Sequence, residues 1–253
     1  MIIYKKLMKN KQKIFNIEID NLSMSETLEV INNSIDNETP LLHIVVNAAK
    51  LVNMQKDSAL YESIKSADIV NADGMAVVWA AKFVGKELKE RVSGIDLFVK
   101  LVENAHLRKE KVFLLGAREE VVKIVAEKFQ MQYGKDIIGG YRNGYFKKGN
   151  EKEIIEQIRD SGAKYLFVAI SSPFKEIFLS TYKKELSELG FIMGVGGSFD
   201  VVSGKVKRAP LWMQKIGMEW FYRFLQEPRR MWKRSFIDNG KFIGLVIKEK
   251  FKK

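Results

Sequence analysis

The chain has 253 residues, of which 46% are hydrophobic and 29% are charged, and its formal net charge is +12. This composition is typical of a globular protein and disfavours long disordered segments. The chain has no cysteine and only two histidines, which excludes disulfides, thiolate metal sites, a cysteine nucleophile and metal sites built from several histidines.

Short apolar runs alternate with segments of helical periodicity through most of the chain. The apolar runs are nearly continuous, which is typical of a parallel sheet covered on both faces. Strands are predicted at Leu42–Val46, Asp68–Asn71, Lys111–Leu115, Tyr165–Ile170 and Phe191–Val195. Helices are predicted at Ser25–Ile35, Asp57–Ser66, Met75–Phe83, Ile95–Ala105, Glu119–Gln132, Glu151–Arg159 and Lys175–Leu189. This alternation predicts an α/β fold over residues 1–203, a doubly wound, Rossmann-like sheet with helices on both faces.

Residues 204–253 follow a different pattern, which predicts a basic, amphipathic C-terminal helical appendage. Pro210–Gln226 is predicted to form one helix that begins at the proline and ends before Pro228. Its aromatic and apolar side chains fall near one face, and they are Trp212, Ile216, Trp220, Phe221 and Phe224. A second helix is predicted at Phe236–Val246.

The positive charge is concentrated in this C-terminal part. Residues Ser203–Lys253 contain 14 Lys/Arg and 4 Asp/Glu, a net charge of +10, whereas the rest of the chain carries +2. Such a segment indicates an anionic partner: membrane lipid, nucleic acid or a phosphorylated substrate. Two interpretations remain open, namely helices packed on the domain with solvated lysines and interfacial helices that dock on a membrane.

The sequence also predicts where the chain resides. Its longest apolar runs, such as Met75–Ala81 and Tyr165–Ile170, fall far short of the roughly 20 residues that span a bilayer. The basic N-terminus lacks the apolar segment of roughly 7–15 residues that a signal peptide needs. We therefore expect a cytoplasmic protein that is peripheral on the inner face of the membrane.

Ligands of open α/β sheets bind at the carboxyl ends of the strands, and two short loops there contain notable residues. Asp73 lies between a predicted strand and a predicted helix, so it is either a turn or cap residue or a general base. Gly116 follows another predicted strand and fits a nucleotide-binding turn, although many α/β loops need a glycine. The chain lacks G-x-G-x-x-G after its first strand and lacks a P-loop motif, which disfavours dinucleotide and P-loop sites.

Two further loops at the predicted edge carry groups suited to an anion. Ser171–Glu176 contains Pro173, which is predicted to begin a helix whose free N–H groups face a ligand, or to be an ordinary connection. Gly194–Pro210 contains a glycine pair, an acid for a ribose and three cations for a diphosphate, with a solvated basic loop as the alternative. These residues are Gly196, Gly197, Asp200, Lys205, Lys207 and Arg208. The chain has no D-x-D motif, so we expect Arg and Lys, rather than a metal ion, to neutralise a diphosphate.

Eight segments taken in order resemble the WecG/TagA/CpsF family of bacterial glycosyltransferases from about Asn16 to about Arg234. They are VVNAAKLV, NADGMAVVWA, ERVSGIDL, FLLGA, GYRNGYF, SSPFKE, GVGGSFDVVSGKVKRAP and EWFYRFLQEPRR. The resemblance implies a metal-independent, inverting transferase without a cofactor. Such an enzyme moves a sugar, N-acetylmannosamine or a related hexose, from a UDP donor to an undecaprenyl-diphosphate-linked sugar during synthesis of cell-surface polysaccharide such as teichoic acid.

The resemblance also assigns roles to individual residues. Asp73 is implied as the general base, and Arg223 and Arg230 of the appendage are implied to stabilise the departing UDP. The predicted substrate-binding residues are Asn47, Arg91, Gly116, Lys175, Gly196, Gly197, Asp200 and Arg208. The implied partners are the donor, the lipid-linked acceptor, an anionic membrane surface and a second copy of the chain in a homo-oligomer.

The chain departs from the family pattern in three places. Val45-Val46-Asn47 replaces T-x-N, and Pro173-Phe174-Lys175-Glu176 replaces P-K-Q-E. Lys233 stands at a position where the family has an arginine. Because these changes lie near the predicted sugar and nucleotide positions, they favour a different UDP-hexose donor, for example glucose.

Two other classes of function account for the same basic, aromatic C-terminal segment. A nucleic-acid-binding protein would use it for salt-sensitive contacts, but the chain has no recognised RNA-binding signature, so no nucleic acid is expected as a partner. A non-catalytic protein that binds nucleotide-sugars would bind UDP tightly without transferring a sugar.

Overall fold

The computed structural model describes residues 7–147, 149–232 and 237–252, without the side chains of Arg230 and Met231. Eight strands occur in these ranges: β1 (Lys11–Ile14), β2 (Ile17–Asp20), β3 (Leu41–Val46), β4 (Ile69–Ala72), β5 (Lys111–Gly116), β6 (Ile138–Arg142), β7 (Ala163–Ala169) and β8 (Phe191–Gly194).

The same ranges contain helices α1 (Met24–Asp36), α2 (Ala48–Asn53), α3 (Ser58–Lys65), α4 (Met75–Phe83), α5 (Gly94–Leu107), α6 (Glu119–Tyr133), α7 (Glu151–Asp160), α8 (Phe174–Thr181), α9 (Ser198–Val202), α10 (Leu211–Lys215), α11 (Glu219–Gln226), α12 (Pro228–Trp232) and α13 (Asn239–Lys250). No helix within the described ranges is both long and apolar enough to cross a bilayer.

The central sheet has six strands in the order β4-β3-β8-β7-β5-β6, and neighbouring strands run parallel. Strand β3 is buried along its whole length. This burial explains why β3 is apolar throughout, since both sides of such a strand face a helical layer. The five predicted core strands are confirmed, with ends that differ by one or two residues.

Two apolar layers cover the two faces of the sheet. One layer contains buried side chains from α2, α3, α4, α7 and α8, and the other contains side chains from α1, α5, α6 and α9. In the second layer the ring of Phe98 lies 4.6 Å from Phe167 in β7 and 5.6 Å from Phe199 in α9. The predicted α/β architecture with helices on both faces is confirmed.

Two strand regions escaped prediction because their sequences lack a strong apolar pattern. The hairpin β1–β2 turns at Phe15 and Asn16, which have φ angles of 56° and 67°, and its strands have only four residues each. Edge strand β6 contains Gly139 and Gly140, which lower strand propensity. A Cβ on Gly140 would lie 2.6 Å from the ring of Phe113. Packing therefore requires glycine at this position, although glycine has a low propensity for strands.

One predicted helix is much shorter in the structure. The helix predicted at Lys175–Leu189 ends at Thr181, and turns follow it. Leu186 and Leu189 are buried in those turns, so the helical spacing of apolar residues came from a segment that packs without being a regular helix. Helix α2, directly after β3, was not predicted.

The helix predicted at Pro210–Gln226 is two helices, α10 and α11, which are separated at Gly217. Gly217 has a φ of +70°, and a Cβ there would lie 2.7 Å from the Trp79 ring and 2.9 Å from Met75 Cβ. The chain therefore bends at this glycine to fit against α4. Pro228 begins α12, and the second predicted helix is observed at Asn239–Lys250, whereas Phe236 lies outside the described residues.

Helix α13 packs against the N-terminal hairpin and α2. The ring of Phe242 is buried 5.7 Å from that of Phe15, and the Phe15 N–H donates to Glu249 Oε1 at 3.1 Å. Nζ of Lys252 lies 2.6 Å from Asn16 Oδ1. The end of the appendage is thereby attached to the domain.

Candidate active site

A cleft of about 1280 Å³ opens at the carboxyl edge of the central sheet. Residues that follow β3, β4, β5, β7 and β8 line it, and α11 and α13 of the appendage contribute to its wall. The predicted site residues found in this wall are Asn47, Asp73, Arg91, Lys175, Gly196, Gly197, Asp200 and Arg223. The fold therefore brings together side chains that lie far apart in the sequence.

Asp73 occupies the turn between β4 and α4. Its backbone N–H donates to the Val46 carbonyl at 2.8 Å, and Gly74 continues the turn with a φ of +118°. The half-buried carboxylate lies near the start of α5, since Oδ2 is 3.9 Å from the position of a Cβ on Gly94. A carboxylate at this edge has the position that a general base for a bound substrate needs.

Asn47 follows β3 and forms the cap of α2. Its Oδ1 accepts a hydrogen bond from the Lys50 N–H at 3.1 Å. Because the cap uses the amide oxygen, the amide nitrogen is the donor that this side chain offers to a ligand in the cleft.

Arg91 and Arg208 connect the domain to the appendage through two acids that were not predicted. Arg208 binds Asp96 with two contacts of 2.5 and 2.6 Å, and Arg91 Nη1 lies 3.0 Å from Glu219 Oε2 in α11. Burial opposes ionisation of Asp96, but the hydrogen bonds and charge of Arg208 outweigh it and lower the pKa of this carboxyl. Arg208 is not among the residues that line the cleft.

The loop after β8 meets Arg223 of α11. Gly197 precedes α9, and Arg223 Nη2 lies 3.1 Å from the position that a Cβ on Gly197 would occupy. Gly196 has a φ of +54°, which is unfavourable for a residue with a side chain. Asp200, half-buried in α9, is 3.6 Å from Nζ of Lys205. A guanidinium beside a turn and the start of α9 is suited to an anionic ligand.

Gly116 has a steric reason to be glycine. Its φ is +130°, and a Cβ would lie 2.5 Å from backbone atoms of Ala169 in the neighbouring strand β7. Its successors Ala117 and Arg118 line the cleft, whereas Gly116 is not among the lining residues.

Lys175 belongs to a buried cluster with Lys50 and Glu176, two residues that the sequence analysis did not assign to the site. Nζ of Lys50 and Nζ of Lys175 lie 2.7 and 2.5 Å from the same oxygen, Glu176 Oε1. Burial opposes ionisation of Glu176, but the charges and hydrogen bonds of the two lysines outweigh it and lower its pKa to about 2. Glu176 is therefore a carboxylate at neutral pH.

The side chains of Arg230 and Lys233, two appendage positions discussed above, are outside the described part of the structure. The backbone of Arg230 lies in α12, and its side chain is outside the described part. Lys233 lies outside the described residues altogether. The role of Arg230 remains a prediction.

Comparisons with known proteins identify the family of the chain. The model of the glycosyl transferase WecG/TagA/CpsF family matches residues 12–253. An N-acetylglucosaminyldiphosphoundecaprenol N-acetyl-beta-D-mannosaminyltransferase of Bacillus subtilis is 32% identical over 239 residues, which are 94% of this chain and 91% of the relative. A protein of the same name from Bacillus spizizenii is 37% identical over 189 residues, which are 74% of this chain and 72% of the relative.

The matched residues include the whole central sheet, the loops that line the cleft and the appendage. The resemblance found in the sequence motifs is thereby confirmed. The chain belongs to the WecG/TagA/CpsF family and is a glycosyltransferase.

Proposed function

We propose that the chain transfers a hexose, N-acetylmannosamine or a relative of it, from UDP to an undecaprenyl-diphosphate-linked acceptor for cell-surface polysaccharide. The observation that carries the proposal is that Asp73 of the domain and Arg223 of the appendage line one cleft. The names of the two relatives, which specify N-acetylmannosamine and a lipid-diphosphate acceptor, support the choice of substrates.

Asp73 has the role of general base in this proposal. Its carboxylate takes the proton of an acceptor hydroxyl, and the hydroxyl oxygen forms a bond to the anomeric carbon of the donor sugar. The bond from that carbon to the β-phosphate oxygen breaks, and UDP carries away the electron pair. A single displacement of this kind inverts the anomeric configuration.

Cations and backbone N–H groups near the glycine pair stabilise the charge that develops on UDP. Arg223 approaches Gly197 from α11, so its guanidinium is placed beside the loop that we assign to the diphosphate. We infer that the reaction is metal-independent, because the chain offers arginines and lysines at this loop and lacks a D-x-D motif. Removal of Arg223 should slow departure of UDP most strongly.

The enzyme acts at an anionic membrane surface in this proposal, which suits an acceptor that is anchored in lipid. Large apolar side chains of the appendage are exposed: Leu211, Trp212, Ile216, Trp220, Leu225, Trp232, Ile237, Ile243, Ile247 and Phe251. Helix α4 adds exposed Trp79 and Phe83, and Lys250 Nζ lies 5.5 Å from the centre of the Phe83 ring. Cations near such a surface contribute about 1 kcal/mol each. The inner face of the cell membrane is the proposed location.

Three finer points remain predictions. Val45 and Lys175 both line the cleft, so the departures from the family pattern at these positions favour a donor hexose other than N-acetylmannosamine, for example glucose. Self-association as a homo-oligomer rests on the family resemblance. Binding of nucleic acid by the basic segment is not expected.

The experiment that tests the proposal measures UDP release from a panel of UDP-sugars, with and without a soluble lipid-diphosphate-N-acetylglucosamine acceptor. We expect acceptor-dependent release with one donor. Asp73→Asn should lower turnover by roughly 10²–10⁴-fold while UDP binding persists. The control is Asp136→Asn, which changes an exposed aspartate just after the end of α6. This control should have no effect on turnover. Near-normal turnover by folded Asp73→Asn would refute the assigned base.

A further inference from the structure

Four charged side chains form a network where α11 meets the domain. Arg91 Nη1 lies 3.0 Å from Glu219 Oε2, and Arg208 Nε lies 3.9 Å from the other carboxylate oxygen of Glu219. Arg208 in turn binds Asp96 at 2.5 and 2.6 Å. The four side chains are between 15% and 35% exposed, so water and salt only partly screen their charges. Glu219 is the member of the network that α11 supplies.

The network lies beside the predicted general base. The hydrogen bonds of Asp96 raise the pKa of Arg208 against the effect of burial, and the charges of Glu219 and Asp73 add to this rise. Arg208 is therefore within electrostatic reach of Asp73. Glu219 itself lines the cleft, so a change at Glu219 acts at the site and not at a remote surface.

Helix α11 depends on polar contacts for its position. None of its eight residues, all of which the structure describes, is buried, and Trp220 and Leu225 are 42% and 60% exposed. Short helices are only marginally stable without tertiary packing. Glu219 attaches the start of the helix to the domain, and Gln226 attaches its end to the Lys207 backbone through two exposed hydrogen bonds.

Arg223 follows Glu219 by one helical turn. Residues four apart in a helix lie on the same side, so the side of α11 that Glu219 attaches to the domain also carries Arg223. Arg223 Nη2 lies 3.1 Å from the position of a Cβ on Gly197. The attachment at Glu219 therefore sets how closely Arg223 approaches the loop after β8.

We propose that Glu219 is a positioning residue for the reaction. Its carboxylate binds Arg91 and Arg208, holds the first turn of α11 against the domain and thereby places the Arg223 guanidinium beside Gly197. Glu219 acts through Arg223 and not on the reacting atoms. The inference rests on the proposed function for the role of Arg223 in stabilising the departing UDP.

The first test compares transfer kinetics of the full chain in two backgrounds. Glu219→Gln should lower kcat about tenfold, because displacement of Arg223 is costly, and should change the KM for the donor by less than about twofold. In Arg223→Gln the same change should lower kcat by less than about twofold, since the group that Glu219 positions is gone. A tenfold loss in both backgrounds would overturn the proposal, because Glu219 would then act independently of Arg223.

The second test follows the position of α11 without any substrate. Because the chain has no cysteine, the substitution Leu225→Cys at an exposed position of α11 accepts a single nitroxide label. Glu219→Gln should raise the mobility of this label in electron paramagnetic resonance spectra. Unchanged mobility would show that Glu219 does not hold the helix and would overturn the proposal.

The matched control is Glu188→Gln, which breaks the exposed ion pair between Glu188 and Arg159, 2.5 Å apart. It should leave both kcat and label mobility unchanged. Glu219 is itself partly exposed, so we expect Glu219→Gln to fold. If it does not fold, Glu219→Asp draws the carboxylate back from Arg91 by one methylene, and wild-type kcat and label mobility in that variant would overturn the proposal.

Two results separate this inference from the proposed function. A folded wild type that transfers no sugar would contradict the proposed function, whereas greater label mobility in Glu219→Gln would still support the attachment of α11 by Glu219. Transfer by the wild type, together with unchanged label mobility in Glu219→Gln, would retain the proposed function and overturn the positioning role.

Discussion

Arg223 Nη2 lies 3.1 Å from the place where a Cβ on Gly197 would stand. Arg223 belongs to the appendage helix α11, and Gly197 belongs to the loop after the central strand β8. The guanidinium thus occupies space that the glycine leaves open. The appendage and the domain together form the candidate active site. The contact therefore predicts the effect of adding a methyl group at Gly197.

Gly197→Ala should lower activity without lowering stability. The φ and ψ of Gly197, −75° and 12°, are accessible to alanine, so the variant should fold with unchanged or slightly higher stability. Arg223 must move by a few tenths of an ångström. Because displacement of a group that acts in catalysis is costly, the role that we propose for Arg223 predicts that kcat falls by about tenfold. Transfer assays and urea unfolding measure the two effects.

The control for this change is Gly240→Ala in α13, where a Cβ meets no atom within 4 Å. It should raise helix stability by roughly 0.5–1 kcal/mol and leave kcat unchanged. Full activity in Gly197→Ala would show that the contact with Arg223 is not used in the reaction.

Gly217→Ala should disrupt the packing of the turn between α10 and α11 against α4. A Cβ there overlaps the Trp79 ring and Met75 Cβ, and the backbone has a φ of +70°. Overpacking costs about 1–3 kcal/mol in addition to the cost of the backbone conformation. We expect a lower free energy of unfolding and slower transfer, because α11 carries Arg223.

Gly85→Ala separates these two costs. Gly85, just after α4, has a φ of +80°, but a Cβ there meets nothing within 4 Å. It therefore reports the backbone cost alone, and Gly217→Ala should be less stable than Gly85→Ala by about 1–3 kcal/mol. Equal losses in urea unfolding would contradict the proposed overlap with Trp79.

Asp20 should make stability depend on pH between about 4 and 6. Burial raises its pKa from 3.8 to about 6, although the Val70 N–H and Lys11 oppose this rise. The folded chain keeps the proton in this window while the unfolded chain loses it, so the contribution of Asp20 to stability is fully present below the unfolded pKa and is lost as pH rises towards 6. The difference in pKa corresponds to roughly 3 kcal/mol.

Asp20→Asn should remove this contribution, so the free energy of unfolding should rise more steeply with pH in that window than it does in the wild type. His43 supplies a contribution of opposite sign that persists in the variant. Burial lowers its pKa from 6.5 to about 4, so its contribution is present above 6.5 and is lost as pH falls towards 4. An unaltered pH profile in Asp20→Asn would exclude Asp20 as the titrating group.

The surface of the protein that binds the membrane should include a side chain of the domain as well as side chains of the appendage. Phe83 in α4 is 54% exposed and Trp212 in α10 is 61% exposed. Each variant, Phe83→Ser and Trp212→Ser, should weaken binding to anionic vesicles by about fivefold, which is about 1 kcal/mol. Vesicle sedimentation measures this, and added salt should weaken binding further.

Met131→Ser is the matched control, since Met131 is 87% exposed on α6, on the other side of the sheet. It should leave vesicle binding unchanged. A loss with Trp212→Ser but none with Phe83→Ser would restrict the surface to the appendage. Point variants are preferred to removal of residues 203–253, because that removal would uncover Phe15, which Phe242 covers.

The sequence alone determined the fold class, the five core strands and the place of Asp73, because these follow from local patterns. A buried parallel strand is a continuous apolar run, and the loops at the carboxyl edge follow directly from the strand order along the chain. The short hairpin and the glycine-containing strand β6 lack such a run, so they were missed.

Only the tertiary structure decided which charged residues meet. Arg208 and Asp96 are 112 positions apart, and Arg91 and Glu219 are 128 apart. No local pattern pairs such residues, because their proximity depends on the crossing of chain segments over the sheet. The same holds for Gly217 against Trp79 and for Lys50 beside Lys175. The sequence supplied the charges of the site, and the packing of helices on the sheet decided which of them meet one another and which line the cleft.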